Sequence, residues 1–177
     1  MKIVFFAHST TIDNQEHRAT GWLPGKLSPE GINQAKALPK LIDDQSFSVV
    51  YCSDLQRAIE SAKIGFSDTH PLRYDWRLRE ANYGKFDGQD KKFKKEMHKF
   101  IDTPYPNGES YKEVEERIKS FLQDMQYFHK DDYIAIIGHE ATQLAMEVII
   151  NRKSWDQVIK ENWRPKGQWK PGWQYCY

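Results

Sequence analysis

The run Ile3-Val4-Phe5-Phe6, followed at once by Ala7-His8-Ser9-Thr10-Thr11, predicts a buried strand that ends at a histidine. Short runs of β-branched and aromatic residues without polar alternation are typical of strands inside a parallel sheet. A second run, Tyr133-Ile134-Ala135-Ile136-Ile137, is followed by Gly138-His139-Glu140. Ligands of open α/β sheets bind outside the carboxyl ends of the strands. We therefore expect His8 and His139 to meet at one edge of the sheet.

Strand and helix patterns alternate along the rest of the chain. Ser28-Pro29 predicts a helix start, because serine caps helices and proline suits the first position, and Pro39 is expected to end that helix early. The other predicted elements are a strand at 47–52, a helix capped by Ser53, a charged helix at 91–101, a helix capped by Ser110, a helix at 141–150 and an edge strand near 173–176. This alternation predicts one α/β domain over residues 1–177, a three-layer sandwich with a mostly parallel sheet flanked by helices.

Composition excludes several classes of function. The 177 residues carry a net charge of +1 and a pI of about 7.8, so charge predicts no nucleic-acid partner and no membrane partner. Mean hydropathy is −0.79, and no apolar stretch approaches the roughly 20 residues of a membrane span. The first residues lack the features of a signal peptide, and Cys52 and Cys176 are too few for a disulfide framework. A cytoplasmic location is therefore expected.

Two charged residues between the histidines fit phosphate chemistry. Arg57 is predicted in the first turn of the helix after Ser53, where unpaired backbone N–H groups favour anions and a guanidinium offers a planar donor fork. Glu80 lies in a loop rich in aromatic residues and glycine, surroundings that suit a general acid. Taken alone, each residue is equally well explained as a surface side chain.

Six segments, in this order along the chain, resemble the histidine phosphatase superfamily in its phosphoglycerate mutase-like branch. They are Ala7-His8-Ser9, Gly21-Trp22-Leu23 with Leu27 to Gly31, Ser53 to Ala58, Leu78 to Gly88, Pro106 to Ser110 and Gly138-His139-Glu140. Each segment is weak evidence alone, whereas six in the correct order are strong and cover most of the chain. The resemblance implies the phosphoglycerate mutase-like fold.

The resemblance also implies a mechanism. His8 attacks phosphorus and forms a phosphohistidine, while Arg57 and His139 bind the phosphoryl oxygens. Glu80 protonates the leaving oxygen and then activates water. The implied ligand is a small phosphorylated substrate or inorganic phosphate, and no metal or cofactor is implied. Such a site combines covalent catalysis with a preorganised positive pocket.

Three residues depart from the family pattern. Ala7 stands where the family has an arginine, Ser9 replaces a glycine, and Glu140 replaces a small residue. Losing one preorganised donor typically costs about 10²–10³ in rate. If Ala7 merely lacks that donor, Ala7→Arg should raise turnover, whereas a pocket rebuilt around other cations should gain nothing.

Other residues near the motifs could compensate for the missing arginine. Arg18 and Lys26, in the loop after His8, could replace its charge, although a solvated role is the simpler interpretation of both. The secondary candidates for substrate binding are Ser9, Thr10, Thr11, Arg18, Gly21 and Glu140. Glu140 is also an alternative proton donor to Glu80, because the acid phosphatase branch of the superfamily carries an acid directly after this histidine.

Three functions are consistent with these residues. The leading hypothesis is a phosphomonoester hydrolase with reduced or specialised activity. The second is a non-catalytic protein that binds a phosphorylated ligand on the same fold, which Ala7 and Glu140 favour. A sugar-phosphate mutase ranks third, because the stretch from Gly88 to Gly108 leaves little chain to enclose a diphosphorylated substrate. The lysines between Lys91 and Lys95 are interpreted as a solvated helix face.

Overall fold

The computed structural model describes residues 1–43, 46–166 and 172–177, and over these ranges the chain forms one five-stranded sheet. Its strands are β1 (Lys2–Ala7), β2 (Val50–Cys52), β3 (Leu72–Tyr74), β4 (Tyr133–Gly138) and β5 (Trp173–Cys176). Their order across the sheet is β3-β2-β4-β1-β5. β5 pairs antiparallel with β1, and the other pairings are parallel. The predicted mostly parallel sheet and its edge strand are confirmed.

Helices pack on the sheet. The α-helices of the described ranges are α1 (Ile12–Gln15), α2 (Pro29–Ala37), α3 (Gln56–Phe66), α4 (Tyr111–Phe128), α5 (Glu140–Asn151) and α6 (Trp155–Glu161). Tighter 3₁₀ helices span Leu38–Leu41, Trp76–Leu78, Gly84–Phe86, Lys91–Phe100 and Arg164–Lys166. No helix within the described part of the chain combines the length and the apolar character that crossing a bilayer requires.

Side chains of β1 alternate between two hydrophobic cores. Ile3, Phe5 and Ala7 belong to the core that α4, α5 and α6 complete. Val4 and Phe6 belong to a second core, on the other face of the strand, that α3 completes. A strand buried on both faces reads as a continuous apolar run, which explains the sequence of β1. The predicted three-layer arrangement is confirmed.

The predicted caps position two helices. The Ser28 Oγ accepts from the Gly31 N–H at 3.1 Å and starts α2. Ser110 and Glu113 form a reciprocal capping box that starts α4. α2 ends at Ala37, and Pro39 lies in the 3₁₀ turn that follows, because proline cannot donate to the helix.

Three element boundaries differ from the prediction. The strand expected at 47–52 begins at Val50, although the Ser48 N–H already donates to the Tyr133 carbonyl at 2.8 Å. Ser53 does not cap α3: Leu55 is the N-cap residue, and the Ser53 Oγ instead accepts from the Leu55 N–H at 3.2 Å within the preceding turn. The charged segment at 91–101 forms 3₁₀ turns broken at Glu96 rather than a regular helix.

Aromatic residues cover the edge near β5. The rings of Trp163 and Trp173 pack with their centroids 5.3 Å apart. Phe5 of β1 contacts Trp173 at 5.9 Å. The crowding of Trp163, Trp169 and Trp173 near the C-terminus predicts that all three cover the core edge, and Trp169 lies outside the described residues.

Candidate active site

The two histidines lie side by side at the carboxyl edge of the sheet. β1 and β4 are parallel neighbours with Ala7 opposite Gly138, so His8 and His139 follow at the same level. The His8 N–H donates to the Gly138 carbonyl at 2.9 Å, and the two ring centroids are 4.9 Å apart. The structure therefore brings together two residues that are distant in sequence.

The hydrogen bonds of His8 define its tautomer. Its Nδ1 lies 2.8 Å from the Ser9 carbonyl, which can only accept, so Nδ1 carries the proton. Its Nε2 accepts from the Arg57 Nε at 3.3 Å and therefore holds the lone pair. Burial, and then the nearby Arg57 charge, lower the His8 pKa well below 6.5. His8 thus presents a neutral ring with a lone pair on Nε2 at neutral pH.

Arg57 is fixed by backbone carbonyls. It is the second residue of α3 and is almost fully buried. Its Nη2 donates to the Gly21 carbonyl at 2.8 Å and its Nη1 to the Leu23 carbonyl at 3.4 Å. Burial lowers its pKa to about 10, which leaves the guanidinium charged at neutral pH. A cation and a helix N-terminus, both of which favour anions, thus lie next to His8.

The loop that holds Arg57 requires glycine at position 21. Gly21 has a φ of +56°, and a Cβ there would lie 1.5 Å from the Asp87 Oδ1. The Asp87 carboxylate is itself fixed, because it accepts from the backbone N–H groups of Trp22 and Tyr83, each at 3.1 Å. Gly21 contributes to the site because its carbonyl accepts from Arg57 and because the absence of a side chain leaves room for Asp87.

His139 is buried with its hydrogen bonds unmade. The side chain has no exposed surface, and neither ring nitrogen has a hydrogen-bond partner within the described ranges. Buried polar atoms nearly always have partners, so such an exception calls for an explanation. Burial, and then the charge of Arg57, lower the His139 pKa well below 6.5, so the ring is neutral and has one N–H to donate. An anion beside His8 would provide the missing acceptor.

Glu80 is held at the N-terminus of α5. Its Oε1 accepts from the backbone N–H groups of Ala81 and Ala141, both at 3.0 Å. Its carbonyl accepts from the Arg117 Nη2 at 3.0 Å and from the Trp22 Nε1 at 2.7 Å. These bonds hold the Glu80 carboxyl at the cavity that His8 lines.

A small cavity lies where these side chains meet. Its volume is about 50 Å³, several times the roughly 10–15 Å³ that one water requires, which suits a small anion. Its lining residues include His8, Gly21, Arg57, Glu80, Tyr83, Lys91, Lys94 and Arg164. A larger cavity of about 720 Å³ shares Lys91, Lys94 and Arg164 with it. His139 does not form its wall and packs against the His8 ring.

The residues that follow His8 take part in the backbone framework. Ser9 and Thr10 donate through their N–H groups to neighbouring side chains at 3.0 and 2.9 Å. Thr11 caps α1 through its hydroxyl. None of these three predicted binding residues is among those that line the small cavity.

The two cations that could replace the motif arginine, and for which a solvated role is the simpler interpretation, are not buried at the site. Arg18 lines the cavity, but it is half exposed and forms an ion pair with Glu16. Lys26 is exposed and is not among the lining residues. Neither is held close to His8 by a hydrogen bond in the described part of the chain.

Glu140 is ionised and fully engaged. Its carboxylate accepts from the Lys94 Nζ at 2.7 Å and from the Asn162 Nδ2 at 2.6 Å, and lies 3.3 Å from the Arg164 Nε. Burial opposes its ionisation, but Lys94 and Arg164 outweigh burial and lower its pKa to about 2. It therefore has no proton to donate at neutral pH, which argues against Glu140 as the alternative acid.

Lys94 and Arg164 are the site residues that sequence reasoning missed. Lys94 belongs to the run interpreted as a solvated face, but its side chain is only 17% exposed. Arg164 lies near the C-terminus, beyond the six motif segments. The signal in the sequence that could have indicated these cations was Glu140, because a carboxylate next to a buried motif histidine requires positively charged partners. Over the described residues, no group of three or more His, Cys, Asp or Glu side chains is arranged to hold a metal.

This arrangement has counterparts among known proteins. Residues 3–160 match the family model described as the histidine phosphatase superfamily (branch 1). The match covers most of the chain, so the chain belongs to this superfamily. The membership predicted from the six segments is confirmed.

Sequence relatives carry the names of mutases. The chain is 24% identical over 200 residues to a 2,3-bisphosphoglycerate-dependent phosphoglycerate mutase of Methanococcus vannielii, with 89% of this chain and 84% of that enzyme covered. A mutase of the same name from Haemophilus influenzae (strain PittEE) is 34% identical over 104 residues, which cover 55% of this chain and 46% of that enzyme. The second match spans less than half of that enzyme.

Similar solved structures include both phosphatases and mutases. The alpha-ribazole phosphatase of Shigella flexneri has a TM-score of 0.77 at 23% identity, covering 91% of this chain and 84% of that one. A mycobacterial glucosyl-3-phosphoglycerate phosphatase has a TM-score of 0.77 at 22% identity, covering 90% of this chain and 83% of that one. A phosphoglycerate mutase of Bacillus anthracis has a TM-score of 0.74 at 22% identity, covering 86% of this chain and 80% of that one. These likenesses show the phosphoglycerate mutase-like fold.

Proposed function

We propose that this protein hydrolyses a small phosphomonoester through a phosphohistidine formed on His8. The observation that carries the proposal is the His8 Nε2 lone pair, 3.3 Å from the Arg57 Nε at a cavity of about 50 Å³. A nucleophile that attacks a phosphate ester needs a lone pair and a nearby cation that stabilises the developing charge. Both requirements are met within one hydrogen-bonded pair.

The proposed reaction has two steps. In the first, the His8 Nε2 bonds to phosphorus, the bond from phosphorus to the alcohol oxygen breaks, and Glu80 donates a proton to that oxygen. In the second, water attacks phosphorus, Glu80 takes a proton from the water, and the N–P bond breaks to release inorganic phosphate. The Arg57 guanidinium stabilises the phosphoryl oxygens in both steps. His139, which packs against the His8 ring, would donate its N–H to a phosphoryl oxygen that enters beside that ring.

Glu80 is the acid in this proposal because of how the two carboxylates are held. Glu140 is ionised and paired with two cations. Glu80 accepts only backbone N–H groups at its Oε1 and lines the cavity beside His8. A general acid must reach the leaving oxygen within hydrogen-bond distance, and the position of Glu80 on the wall of the cavity supports that role.

Two other functions differ in their expected products. A phosphate-binding protein without chemistry is favoured by Ala7, but it would need neither a lone pair on His8 nor a carboxyl group beside it. A mutase is favoured by the names of the sequence relatives. It would pass the phosphoryl group to a second alcohol instead of water.

A quenched labelling experiment tests the proposal. Brief incubation with a radiolabelled aryl phosphate should place an acid-labile, base-stable phosphate on His8, accompanied by release of inorganic phosphate. His8→Ala should abolish both, whereas His98→Ala, which removes an exposed histidine, should change neither. Phosphate binding without label identifies the non-catalytic function. Label that passes to an added alcohol instead of water identifies a mutase.

A further inference from the structure

Two cations outside the family motifs line the same cavity as His8. Lys94 comes from the 3₁₀ segment Lys91–Phe100, and Arg164 begins the segment Arg164–Lys166. Their side chains are 17% and 26% exposed, compared with 81% for Lys92. Because burying a charge is costly unless it is paired, these two cations occupy defined positions rather than a solvated face.

Glu140 holds both cations. It bonds the Lys94 Nζ at 2.7 Å and lies 3.3 Å from the Arg164 Nε. That Nε is buried, yet it lacks a hydrogen bond of acceptable geometry to any partner in the described ranges. One anion thus faces two cations, which leaves one positive charge and one unsatisfied donor near the cavity.

Glu140 and Ala7 both depart from the family pattern, and they lie near the carboxyl ends of the neighbouring strands β4 and β1. Ala7 pairs with Gly138, two positions before Glu140. The Lys94 Nζ lies 4.7 Å from the centroid of the Tyr83 ring, which packs in the same core cluster as Ala7. The chain therefore lacks an arginine at the end of β1 and has an anion at the start of α5 that holds two cations at the wall of the cavity that His8 also lines.

We propose that Lys94 and Arg164, held by Glu140, bind the phosphoryl oxygens in place of the motif arginine. Glu140 is a positioning residue, and Lys94 and Arg164 are the ligands. This inference rests on the proposed function, because it takes the small cavity as the phosphoryl site.

The local charges are consistent with this assignment. With both histidines neutral, Arg57, Lys94 and Arg164 against Glu140 leave two net positive charges, Glu80 apart. A phosphate monoester carries about −1.5 to −2 charges at pH 7. Without Lys94 and Arg164, the Glu140 charge would offset that of Arg57, and the net positive charge of these four groups would fall from two to none. Both cations also lower the His8 pKa, after burial and Arg57, which indicates that their fields reach the nucleophile.

Titration with inorganic phosphate tests the inference without relying on catalysis. Lys94→Met and Arg164→Met should each weaken phosphate binding about ten- to hundredfold, the value of a charge-assisted hydrogen bond. The matched control is Lys99→Met, which removes an exposed charge from the same 3₁₀ segment and should leave the affinity unchanged. Native affinity in Lys94→Met and Arg164→Met overturns the inference.

A double variant separates ligand binding from folding. Lys94→Met leaves the buried Glu140 short of a partner, which destabilises proteins strongly. Lys94→Met/Glu140→Gln removes both charges, so it should fold and still bind phosphate about tenfold or more weakly than native. Native affinity in this folded variant overturns the inference. If phosphate binding falls as expected but no label forms on His8, the inference stands and the proposed hydrolysis fails.

The substitution Ala7→Arg provides an independent test of the inference. If Lys94 already occupies the role of the motif arginine, Ala7→Arg should not raise phosphate affinity in the native protein. In a Lys94→Ala background it should restore much of the lost affinity. A tenfold gain in the native background would show that the role was unfilled and would overturn the inference.

Discussion

At the residue scale, His8 combines burial with a neighbouring cation. Both effects disfavour its protonation, burial more strongly than Arg57. The same cation that keeps the ring neutral is placed to attract a phosphate. The Nδ1–H bond to the Ser9 carbonyl fixes which nitrogen carries the lone pair. Orientation, protonation state and attraction of the ligand are thus set by two contacts.

This environment predicts the pH dependence of hydrolysis. Protonation of His8 removes the nucleophile, and its pKa in the free protein is lowered from 6.5, so activity is lost only as the pH falls below that value. The acid limb of kcat/KM, which reports groups of the free enzyme, should therefore lie below pH 6.5. The measurement is kcat/KM for an aryl phosphate between pH 4 and 9, corrected for ionisation of the substrate. An acid limb at or above pH 6.5 contradicts a neutral His8.

The motif residues could be predicted from sequence, whereas their partners could not. His8 and His139 follow apolar runs, and apolar runs are visible without a structure. Lys94 looks like its exposed neighbour Lys92, and only contact with Glu140 distinguishes the two. That contact joins residues 46 positions apart. Burial of a lysine depends on such a distant partner, so local pattern carries no information about it.

At the scale of elements, α4 supports the loop that carries Glu80. The Arg117 guanidinium donates to the carbonyls of Arg77, Arg79 and Glu80. It also pairs with Glu109 at 3.0 Å, and its side chain is almost fully buried. One helix residue thus holds three backbone carbonyls of the segment that leads to Glu80.

Arg117→Met should therefore affect stability and catalysis together. Removing one partner of a buried ion pair costs about 3–5 kcal/mol, and we expect the free energy of unfolding to fall by about that amount. With the Glu80 loop loosened, kcat should fall more than phosphate affinity, since the proposed phosphate ligands lie on other segments. Urea denaturation and steady-state kinetics measure the two effects.

A matched control for this variant is Arg73→Met on the exposed face of β3. Surface substitutions of this kind usually change stability by less than about 0.5 kcal/mol. Equal effects of the two substitutions would show that Arg117 has no special supporting role.

The elements differ in how well the sequence predicts them. β1, β4 and the caps of α2 and α4 follow from local pattern, because apolar runs and serine caps act over a few residues. The start of α3 does not: Ser53 could cap, but its hydroxyl instead holds the Leu55 N–H of the turn before the helix. The segment Lys91–Phe100 has helical composition, yet packing of Lys94 and Met97 inward favours tighter 3₁₀ turns.

At the scale of the whole molecule, the parallel sheet gathers segments that the chain keeps apart. β1, β2 and β4 are neighbours, and their carboxyl ends deliver His8, the start of α3 and His139 to one edge. Arg164, from the C-terminal stretch, lines the same cavity. A ligand held there would contact side chains from segments that are far apart in sequence.

Phosphate should accordingly raise the thermal stability of the protein. A ligand at 100 times its Kd stabilises the native state by about 2.7 kcal/mol. For a chain of this length, each kcal/mol shifts Tm by about 2–4 °C, so an increase of about 5–10 °C is expected. At the same phosphate concentration, Lys94→Met should show a clearly smaller increase by differential scanning fluorimetry. Equal shifts in the two proteins would show that Lys94 does not contact phosphate.

Strand β5 is linked to the cavity through the chain that leads from Arg164. It closes the sheet beside β1 and belongs to the same C-terminal stretch as Arg164. If Arg164 binds phosphate only while Trp173–Cys176 is paired with β1, thermodynamic reciprocity requires bound phosphate to stabilise that pairing by the same factor. Binding of phosphate in the cavity should then slow proteolytic cleavage and amide hydrogen exchange along strand β5, compared with the free protein. Pairing of β5 with β1 would then report whether the cavity beside His8 is occupied.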